Sequence, residues 1–390
     1  MHRLHRLLKH IDAEDKPVQR PCPGLVAAEA TEEKDEVRRS GPLVGIRVID
    51  LSSVISGPWA TSFLADQGAE VIKVEAPGAP DMTRGLGPNP GSGLGSMYVS
   101  VNRGKRSITL DLQKPEGLQL LKQLVERSDV VVQNYRPGVA QKLGCDYAAL
   151  AAVNPEIIVL SISGFGSSGP YVENRVYDQV IQAMTGVPSI MSDKAGQPTM
   201  FHNLLVDKVT ALNAAQAISA ALFSKQRGNG GQHIELSMLD SALHFLFPDA
   251  YWNKVWCDVK AIPLEWREIA QRSEYEAADG KLSITATDKK QMWGLLEVTG
   301  LQKHRSDSLG KMRAEALEAI RARLRSMSKQ EIFDSCRHHG VPCGMFLSTD
   351  EVLSESQVKH NRTVEEHFDE TGGKFRAVRP PARFERTPSA

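Results

Sequence analysis

One carboxylate, Asp207, stands near the start of an apolar segment that runs from Asn203 to Phe223, NLLVDKVTALNAAQAISAALF. The Ala, Leu, Val and Ile content of this segment is typical of a buried helix, and Lys208 is the only other charge in it. Such an acid serves either as a structural group at a helix N-terminus or as a reactive carboxylate. The local sequence alone favours the structural role, which is the commoner one.

Basic and aromatic side chains form a second group of candidates, and most of them stand on or beside loops that follow predicted strands. They are Arg84, Arg103, Lys105, Arg106, Tyr135, Arg136, Lys142, Tyr171, Arg175 and Tyr177. Each alone is typical of a solvated charge or a packing aromatic. Together they predict a site for a nucleotide with phosphates, with the base stacked on a ring and the phosphates bound by Lys or Arg.

Other familiar catalytic patterns are missing from the sequence. It has no G-x-S-x-G, H-E-x-x-H or Walker A motif, and GFGSSG (164–169) is followed at once by Pro170, which favours a turn over a dinucleotide loop. No histidine occurs between His10 and His202, so a histidine base is excluded from that region. The run CRHHGVPCG matches no standard zinc spacing, and no metal site is predicted.

Alternating strand and helix patterns must position these side chains. IRVIDLS, EVIKVEAP, RSITLDL, DVVVQNY and EIIVLSISGFG read as short buried strands, with helical patterns such as GPWATSFLADQGA between them. This alternation predicts an α/β domain with a mostly parallel sheet. The loops APGAPDMTRG, QNYRPG and SGFGSSGPY all follow strands, so they should share the ligand-binding edge of that sheet.

The 390 residues suggest a chain of several parts. We predict an N-terminal extension at 1–40, a large Rossmann-like domain at 41–248, a smaller α+β domain at 249–340 and a segment at 341–390 that returns to the large domain. With 47 basic and 47 acidic residues, the charge balance gives no support to nucleic-acid or membrane binding. Five scattered cysteines without a CxxC pair, and an N-terminus without a signal-peptide core, indicate a cytoplasmic protein.

Several longer motifs give the chain a family resemblance. In order they are GIRVIDLSSVISGPWATSFLADQGAEVIKVEAPGAPDMTRG, NRGKRSITLDL, VQNYRPGVAQKLG, NPEIIVLSISGFGSSGPY and RGNGGQHIELSMLDS. Across roughly 41–376 the sequence resembles the family III CoA-transferases (the CaiB/BaiF family), which are related to the α-methylacyl-CoA racemases. The resemblance implies an interlocked homodimer, with each chain threaded through a ring formed by the other.

The resemblance also implies a chemistry for Asp207. In the transferases the matching aspartate attacks an acyl-CoA thioester and passes through anhydride and aspartyl-CoA intermediates, with coenzyme A as a substrate and no further cofactor. The partners implied are an acyl-CoA and a carboxylic acid acceptor, with small dicarboxylates preferred. Such a carboxylate must be ionised and shielded from water, and a helix N-terminus and an apolar helix would provide both conditions.

Further site residues are carried over by position from the same family. The resemblance places Asn134 and Tyr135 beside the adenosine of CoA and puts Lys142 where some transferases have a phosphate-binding arginine. It makes Arg175 and Tyr177 neighbours of CoA and Asp178 a neighbour of the reacting carboxylate. Arg106, from the basic group above, completes the predicted CoA-binding set.

Two alternatives remain open at this point. A racemase would pair Asp207 with a histidine, but Tyr177 occupies that position in RVYDQV, and a tyrosine pKa near ~10 makes a poor base at neutral pH. The transferase reading is therefore preferred. A non-catalytic acyl-CoA-binding relative is the second alternative, suggested by a carboxyl end shorter than is usual for the family. No glycine run follows Phe245, so the lid loop of formyl-CoA transferases has no counterpart there.

Overall fold

The computed structural model describes residues 39–91, 93–192, 195–262, 273–369 and 373–389. The predicted extension at 1–40 lies outside the described residues as far as residue 38. None of the described helices is long and apolar enough to cross a bilayer.

A six-stranded sheet forms the centre of the first part of the chain, and every strand pair in it is parallel. Its strands are β1 (Arg47–Asp50), β2 (Glu70–Glu75), β3 (Lys105–Thr109), β4 (Val130–Gln133), β5 (Ile158–Ser163) and β6 (His233–Ser237). They lie in the order β3-β2-β1-β4-β5-β6. This is the Rossmann order, so the predicted fold is confirmed, and the order reverses between β1 and β4, where such sheets open a ligand crevice.

Helices cover both faces of this sheet. They are α1 (Ser56–Asp66), α2 (Ser96–Asn102), α3 (Pro115–Val125), α4 (Val139–Leu143), α5 (Tyr147–Ala151), α6 (Asp178–Met184), α7 (Val187–Ile190), α8 (Leu205–Ser224) and α9 (Met238–Ala250), with 3₁₀ turns at Met82–Gly85 and Trp252–Lys254 and a π turn at Lys225–Asn229. Helix α8 packs against both α1 and α9. Helix α1 contacts β1, β2 and β4, α8 contacts β5 and β6, and α9 contacts β6, so that residues such as Leu64, Ile218 and Ala242 enter one apolar core with the strands. The predicted helix over 203–223 is therefore α8.

A second apolar core lies in the later part of the chain. Three antiparallel strands, β7 (Glu274–Ala277), β8 (Gly280–Ile284) and β9 (Cys343–Met345), pack with α10 (Lys289–Thr299), α11 (Leu309–Leu324) and α12 (Lys329–His338), and a 3₁₀ turn lies at Gln302–His304. Two short helices, α13 (Thr349–Ser354) and α14 (Ser356–Asn361), lead into a hairpin of β10 (Val364–Asp369) and β11 (Gly373–Val378). The domain boundaries at 248/249 and 340/341 stay a prediction.

Two buried ion pairs lie beneath the carboxyl end of β1. Lys105 Nζ is 2.9 Å from Asp50 Oδ2, and Lys73 Nζ is 3.0 Å from Asp81 Oδ2. All four side chains are at most 2% exposed. Burial lowers the pKa of Lys105 to about 8, although Asp50 opposes that effect. Charges buried this deeply are tolerated because each is paired with an opposite charge. Removal of one partner leaves the other charge buried and uncompensated, which destabilises the fold.

We predict that Lys105→Met lowers the free energy of unfolding by about 3 kcal/mol, because Asp50 then remains buried without its ion-pair partner. Arg106→Met is the matched control. Arg106 is the next residue on β3, and its pair with Glu70 leaves the guanidinium side chain 44% exposed, so its loss should cost less than about 1 kcal/mol. Urea unfolding at pH 7 measures both, and equal losses would contradict the prediction.

Candidate active site

Asp207 is the third residue of α8, and its side chain is only 7% exposed. The helix begins beneath α1, with which it makes its most extensive packing contact. The cap residue of α8, Leu204, has no side-chain acceptor for the free N–H groups of the first turn. Those groups therefore need acceptors from elsewhere in the fold.

Asp178 supplies one of these acceptors. This aspartate is the first residue of α6, is 1% exposed, and accepts the backbone N–H of Asp207 on Oδ2 at 2.9 Å. Gln182, one turn later, donates its side-chain amide to Asp178 Oδ1 and to the carbonyl of Asn203 at 2.8 Å. The resemblance predicted an acid beside the reacting carboxylate, and the structure places Asp178 there as a cap for the N-terminus of α8.

The Asp207 carboxylate has an elevated pKa. Burial raises it most, Asp178 raises it further, and hydrogen bonds from the Ser56 hydroxyl and the Ser56 backbone lower it, with a result of about 6. Ser56 is the first residue of α1, so these donors belong to the N-terminus of a second helix. The sequence argument expected the N-terminus of α8 itself to keep Asp207 ionised. In the structure desolvation exceeds that effect, and α1 provides the opposing donors.

A pKa of about 6 suits a nucleophile. At pH 7 roughly nine-tenths of such carboxylates are ionised. Their nucleophilicity exceeds that of an ordinary aspartate, because the carboxylate is more basic and burial removes most of its surface from solvent. Within the described part of the chain, no cation is among the groups that shift the pKa of Asp207.

The loop between β1 and α1 carries the Ser56 donors to the site. Asn134, directly after β4, accepts the Ser53 N–H at 2.9 Å and donates to the Ser53 carbonyl at 2.7 Å. These bonds cross the point where the strand order reverses. Asn134 was predicted to lie beside the adenosine of CoA, which stays a prediction, and in the structure its amide is hydrogen-bonded to Ser53.

The other predicted CoA-binding residues are more dispersed. Tyr135 follows Asn134 and is half-buried, and burial raises the pKa of its hydroxyl. Lys142 in α4 is exposed, as are Arg175 and Tyr177 just before α6, with Tyr177 61% accessible. All four of these residues come after β4 or β5 in the chain, on the side where the sequence predicted the ligand-binding edge of the sheet. They are Tyr135, Lys142, Arg175 and Tyr177.

Arg106 lies apart from this group. It stands near the start of β3 and pairs with Glu70 at the first residue of β2, so its guanidinium is held at the amino-terminal end of the parallel strands. The GFGSSG run forms turns after β5, and the next helix begins at α6. Among the described residues no group of three or more His, Cys, Asp or Glu side chains is placed to hold a metal ion.

A cavity of about 990 Å³ lies beside the start of α8, with Ile55, Leu204 and Lys208 in its wall. Trp59 and Phe63 of α1 make part of the wall apolar. Its described lining has no acidic side chain but contains five basic ones, namely Arg103, Lys208, Arg376, Arg379 and Arg383. Arg103 is paired with Asp66 and Arg376 with Glu366, so the positive charge of this lining comes mainly from Lys208, Arg379 and Arg383, and it favours an anionic ligand with apolar parts.

The parallel sheet and the buried Asp207 carboxylate are compatible with many enzyme classes, and comparison with known proteins identifies the class. The description "CoA-transferase family III" belongs to a family model that matches residues 43–390, so the chain belongs to that family and is a CoA-transferase. The succinate–glutarate CoA-transferase of Agrobacterium fabrum is 34% identical over 371 residues, covering 91% of this chain and 92% of that protein. The acetyl-CoA:oxalate CoA-transferase of Acetobacter aceti is 33% identical, covering 83% and 86%.

Solved structures agree with these sequence matches. A CaiB/BaiF family protein from Brucella suis has a TM-score of 0.76 and 28% identity, and the match covers 90% of this chain and 95% of that one. The family resemblance inferred from the sequence motifs is thus confirmed.

The sequence argument did not identify Ser56 as a contact of Asp207. Its signal is the SGP at the start of α1, immediately after a loop at the sheet edge.

We predict that Asp207→Asn stabilises the protein at neutral pH. The folded-state pKa of about 6 lies above the ordinary value of 3.8, so ionisation of Asp207 destabilises the fold. This loss grows as pH rises from 3.8 to about 6 and is complete above that range. The difference corresponds to at most about 3 kcal/mol.

Urea unfolding of the parent and Asp207→Asn at a series of pH values measures this difference. The two proteins should converge near pH 4, and the variant should be more stable at pH 7.5. A parent protein that is equally or more stable at pH 7.5 would show that Asp207 has no elevated pKa.

Proposed function

We propose that this protein moves CoA from an acyl-CoA thioester to a carboxylic acid, with Asp207 as the covalent nucleophile. The supporting observation is the Asp207 carboxylate itself, which is buried and has Ser56, at the start of α1, rather than a cation as the group that lowers its pKa. Capping alone does not explain this arrangement, because Asp178 rather than Asp207 accepts from the N-terminus of α8.

The reaction proceeds by four exchanges at carbonyl carbon. An Asp207 oxygen attacks the thioester carbonyl, the C–S bond breaks, and CoA leaves as thiolate from a mixed anhydride. The thiolate then attacks the Asp207 carbonyl carbon, releasing the donor acid and forming an aspartyl-CoA thioester. The acceptor carboxylate attacks that thioester, and the released thiolate attacks the acceptor carbonyl of the new anhydride. Asp207 is regenerated, and no net proton is consumed.

Ser56 provides the electrostatic part of this mechanism. Each attack on the Asp207 carbonyl carbon transfers negative charge to an oxygen that faces the Ser56 hydroxyl and N–H. The N-terminus of α1 has no side-chain cap and no acidic residue in its first turn, so its positive end is available to this oxygen. Donors that are already in place stabilise the developing charge without reorganisation.

The acceptor that we propose is a small dicarboxylic acid. Two of the relatives are named for glutarate and oxalate, which are dicarboxylates. The cationic lining of the cavity beside Ile55 and Lys208 supports the same class of ligand, since a second carboxylate finds positive charge there. We also propose a homodimer in a reducing compartment such as the cytoplasm, in line with the family resemblance and the sparse cysteines.

A racemase mechanism is less well supported. It requires a second base at position 177, and Tyr177 is a largely exposed phenol at the N-cap of α6. A single carboxylate completes the transferase cycle, whereas two-sided exchange of an α-proton needs two bases.

We predict that succinyl-CoA, added without an acceptor, leaves covalent CoA on Asp207. The adduct should appear by intact-mass spectrometry and map to the peptide that contains Asp207. Asp207→Asn should lack the adduct and should transfer CoA from succinyl-CoA to glutarate at least about a thousandfold more slowly, because the nucleophile is gone.

Asp240→Asn is the control for these measurements. Asp240 is likewise an acid in the first turn of a helix of the same layer, α9, but its side chain is exposed. The control should form the adduct and transfer CoA at the parent rate. Undiminished transfer by Asp207→Asn, or an adduct on a different residue, would overturn the proposed mechanism.

A further inference from the structure

The backbone at Val54 has a conformation that its side chain disfavours. Its φ is +70°, in the left-handed region, and Val54 and Arg362 are the non-glycine residues of the described chain with positive φ. A β-branched residue is especially costly there, and such strain persists only where surrounding contacts enforce it. Val54 lies two residues before Ser56, so the direction of α1 and its donors depends on this turn.

The amide group of Asn134 holds the residue before Val54 from both sides. It accepts from the Ser53 N–H at 2.9 Å and donates to the Ser53 carbonyl at 2.7 Å. A side-chain amide that satisfies both backbone groups of one residue fixes the orientation of that residue. The backbone groups of the turn that Asn134 does not bind are the Ser52 carbonyl and the Val54 N–H, on either side of Ser53.

The buried ion pair between Lys73 and Asp81 fixes those two sides. Lys73 Nζ donates to the Ser52 carbonyl at 2.8 Å, and both Asp81 oxygens lie 3.2 Å from the Val54 N–H that they accept. The pair itself measures 3.0 Å. Its Coulombic energy is strong in this buried site, so the separation of the Ser52 carbonyl and the Val54 N–H is held by two mutually attracted charges.

The contacts of Asn134, Lys73 and Asp81 with residues 52–54 are called the clamp below, and Ser52 connects this clamp to α1. Its N–H donates to Asp50 Oδ1 at 2.9 Å, and its hydroxyl donates to the same oxygen. A Cβ on Gly57 would lie 2.3 Å from the Ser52 side chain, so α1 begins in direct contact with the clamped residue. A displacement of the turn would therefore move the first residues of α1, including Ser56.

We propose that Asn134, Lys73 and Asp81 are positioning residues that hold Val54 in its left-handed conformation and thereby keep the Ser56 donors on Asp207. This inference rests on the proposed function of Asp207. It assigns Asn134 a role in the reaction that does not depend on contact with CoA. Of the described residues, Asp178 from α6 is the charged group that acts on Asp207, and Ser56 from α1 is the opposing donor.

The test uses Asn134→Ala and the double variant Val54→Gly/Asn134→Ala. Without the amide, Val54 should relax toward an extended conformation and withdraw Ser56, which raises the pKa of Asp207 because the donors that lower it are lost. With succinyl-CoA and glutarate as probes, kcat should fall at least about tenfold while KM for succinyl-CoA stays within about threefold. Glycine takes positive φ without steric cost, so the double variant should recover much of both losses.

Asn154→Ala is the matched control. Asn154 also binds backbone through its amide, with bonds of 3.0 and 2.9 Å to the carbonyls of Val125 and Ser128. Those carbonyls precede β4, at the opposite end of the parallel strands from the β1–α1 loop. It should lose stability without a change in the pKa of Asp207 or in kcat. Asn134→Asp, which retains the acceptor for the Ser53 N–H and lacks the donor, gives a milder variant should Asn134→Ala fail to fold.

The pKa of Asp207 in each background comes from the pH dependence of the difference in unfolding free energy between that background and the same protein with Asp207→Asn. This measurement needs no substrate, so it tests the clamp even where the proposed reaction fails. An unchanged pKa in the Asn134 variants, a rise in KM alone, or no recovery on adding Val54→Gly would each overturn the inference.

Discussion

The site depends on one constraint, which is that a carboxylate must stay charged in an apolar interior without a cation beside it. An adjacent lysine or arginine would depress the pKa of Asp207 and reduce its power as a nucleophile. The structure instead opposes the burial of Asp207 with neutral donors from Ser56, at the N-terminus of α1. The buried lysines Lys73 and Lys105 are paired with Asp81 and Asp50, and neither is among the groups that shift the pKa of Asp207.

The sheet topology makes this arrangement possible. Because the strand order reverses between β1 and β4, the loops after these strands diverge and leave a crevice, and Asn134 bridges it at Ser53. Helix α1 contacts β1, β2 and β4 while α8 contacts β5 and β6, so the two helices pack against each other on the sheet, and Ser56 at the start of α1 acts on Asp207 at the start of α8. Asp207, in the first turn of α8, therefore lies by the N-terminus of α1, and no nucleotide-binding motif in the sequence marks this arrangement.

Sequence reasoning reached the strands and helices of the first part because their signals are local. Short apolar runs such as VVVQ predicted buried parallel strands, and the pattern GPWATSFLADQGA predicted the helix α1. Asp207 and Asp178 came from the family resemblance, since an acid near a helix start is ordinary by itself. The sequence did not predict the role of Ser56 or the contacts that hold Val54. Asn134 lies 81 residues from Ser53, and a valine gives no sign in the sequence that its φ will be positive.

The elevated pKa of Asp207 also bears on how one carboxylate can serve both halves of the reaction. In the proposed reaction Asp207 displaces a thiolate, whose conjugate acid has a pKa near ~8.5, and is itself displaced from anhydrides with ordinary acids whose pKa lies near ~4. A pKa of about 6 stands between these values. An ordinary aspartate would attack the thioester more weakly, whereas a much more basic group would be protonated at pH 7 and would leave more slowly. Burial and the Ser56 donors act in opposite directions on this one quantity, and their balance places Asp207 where both exchanges can proceed.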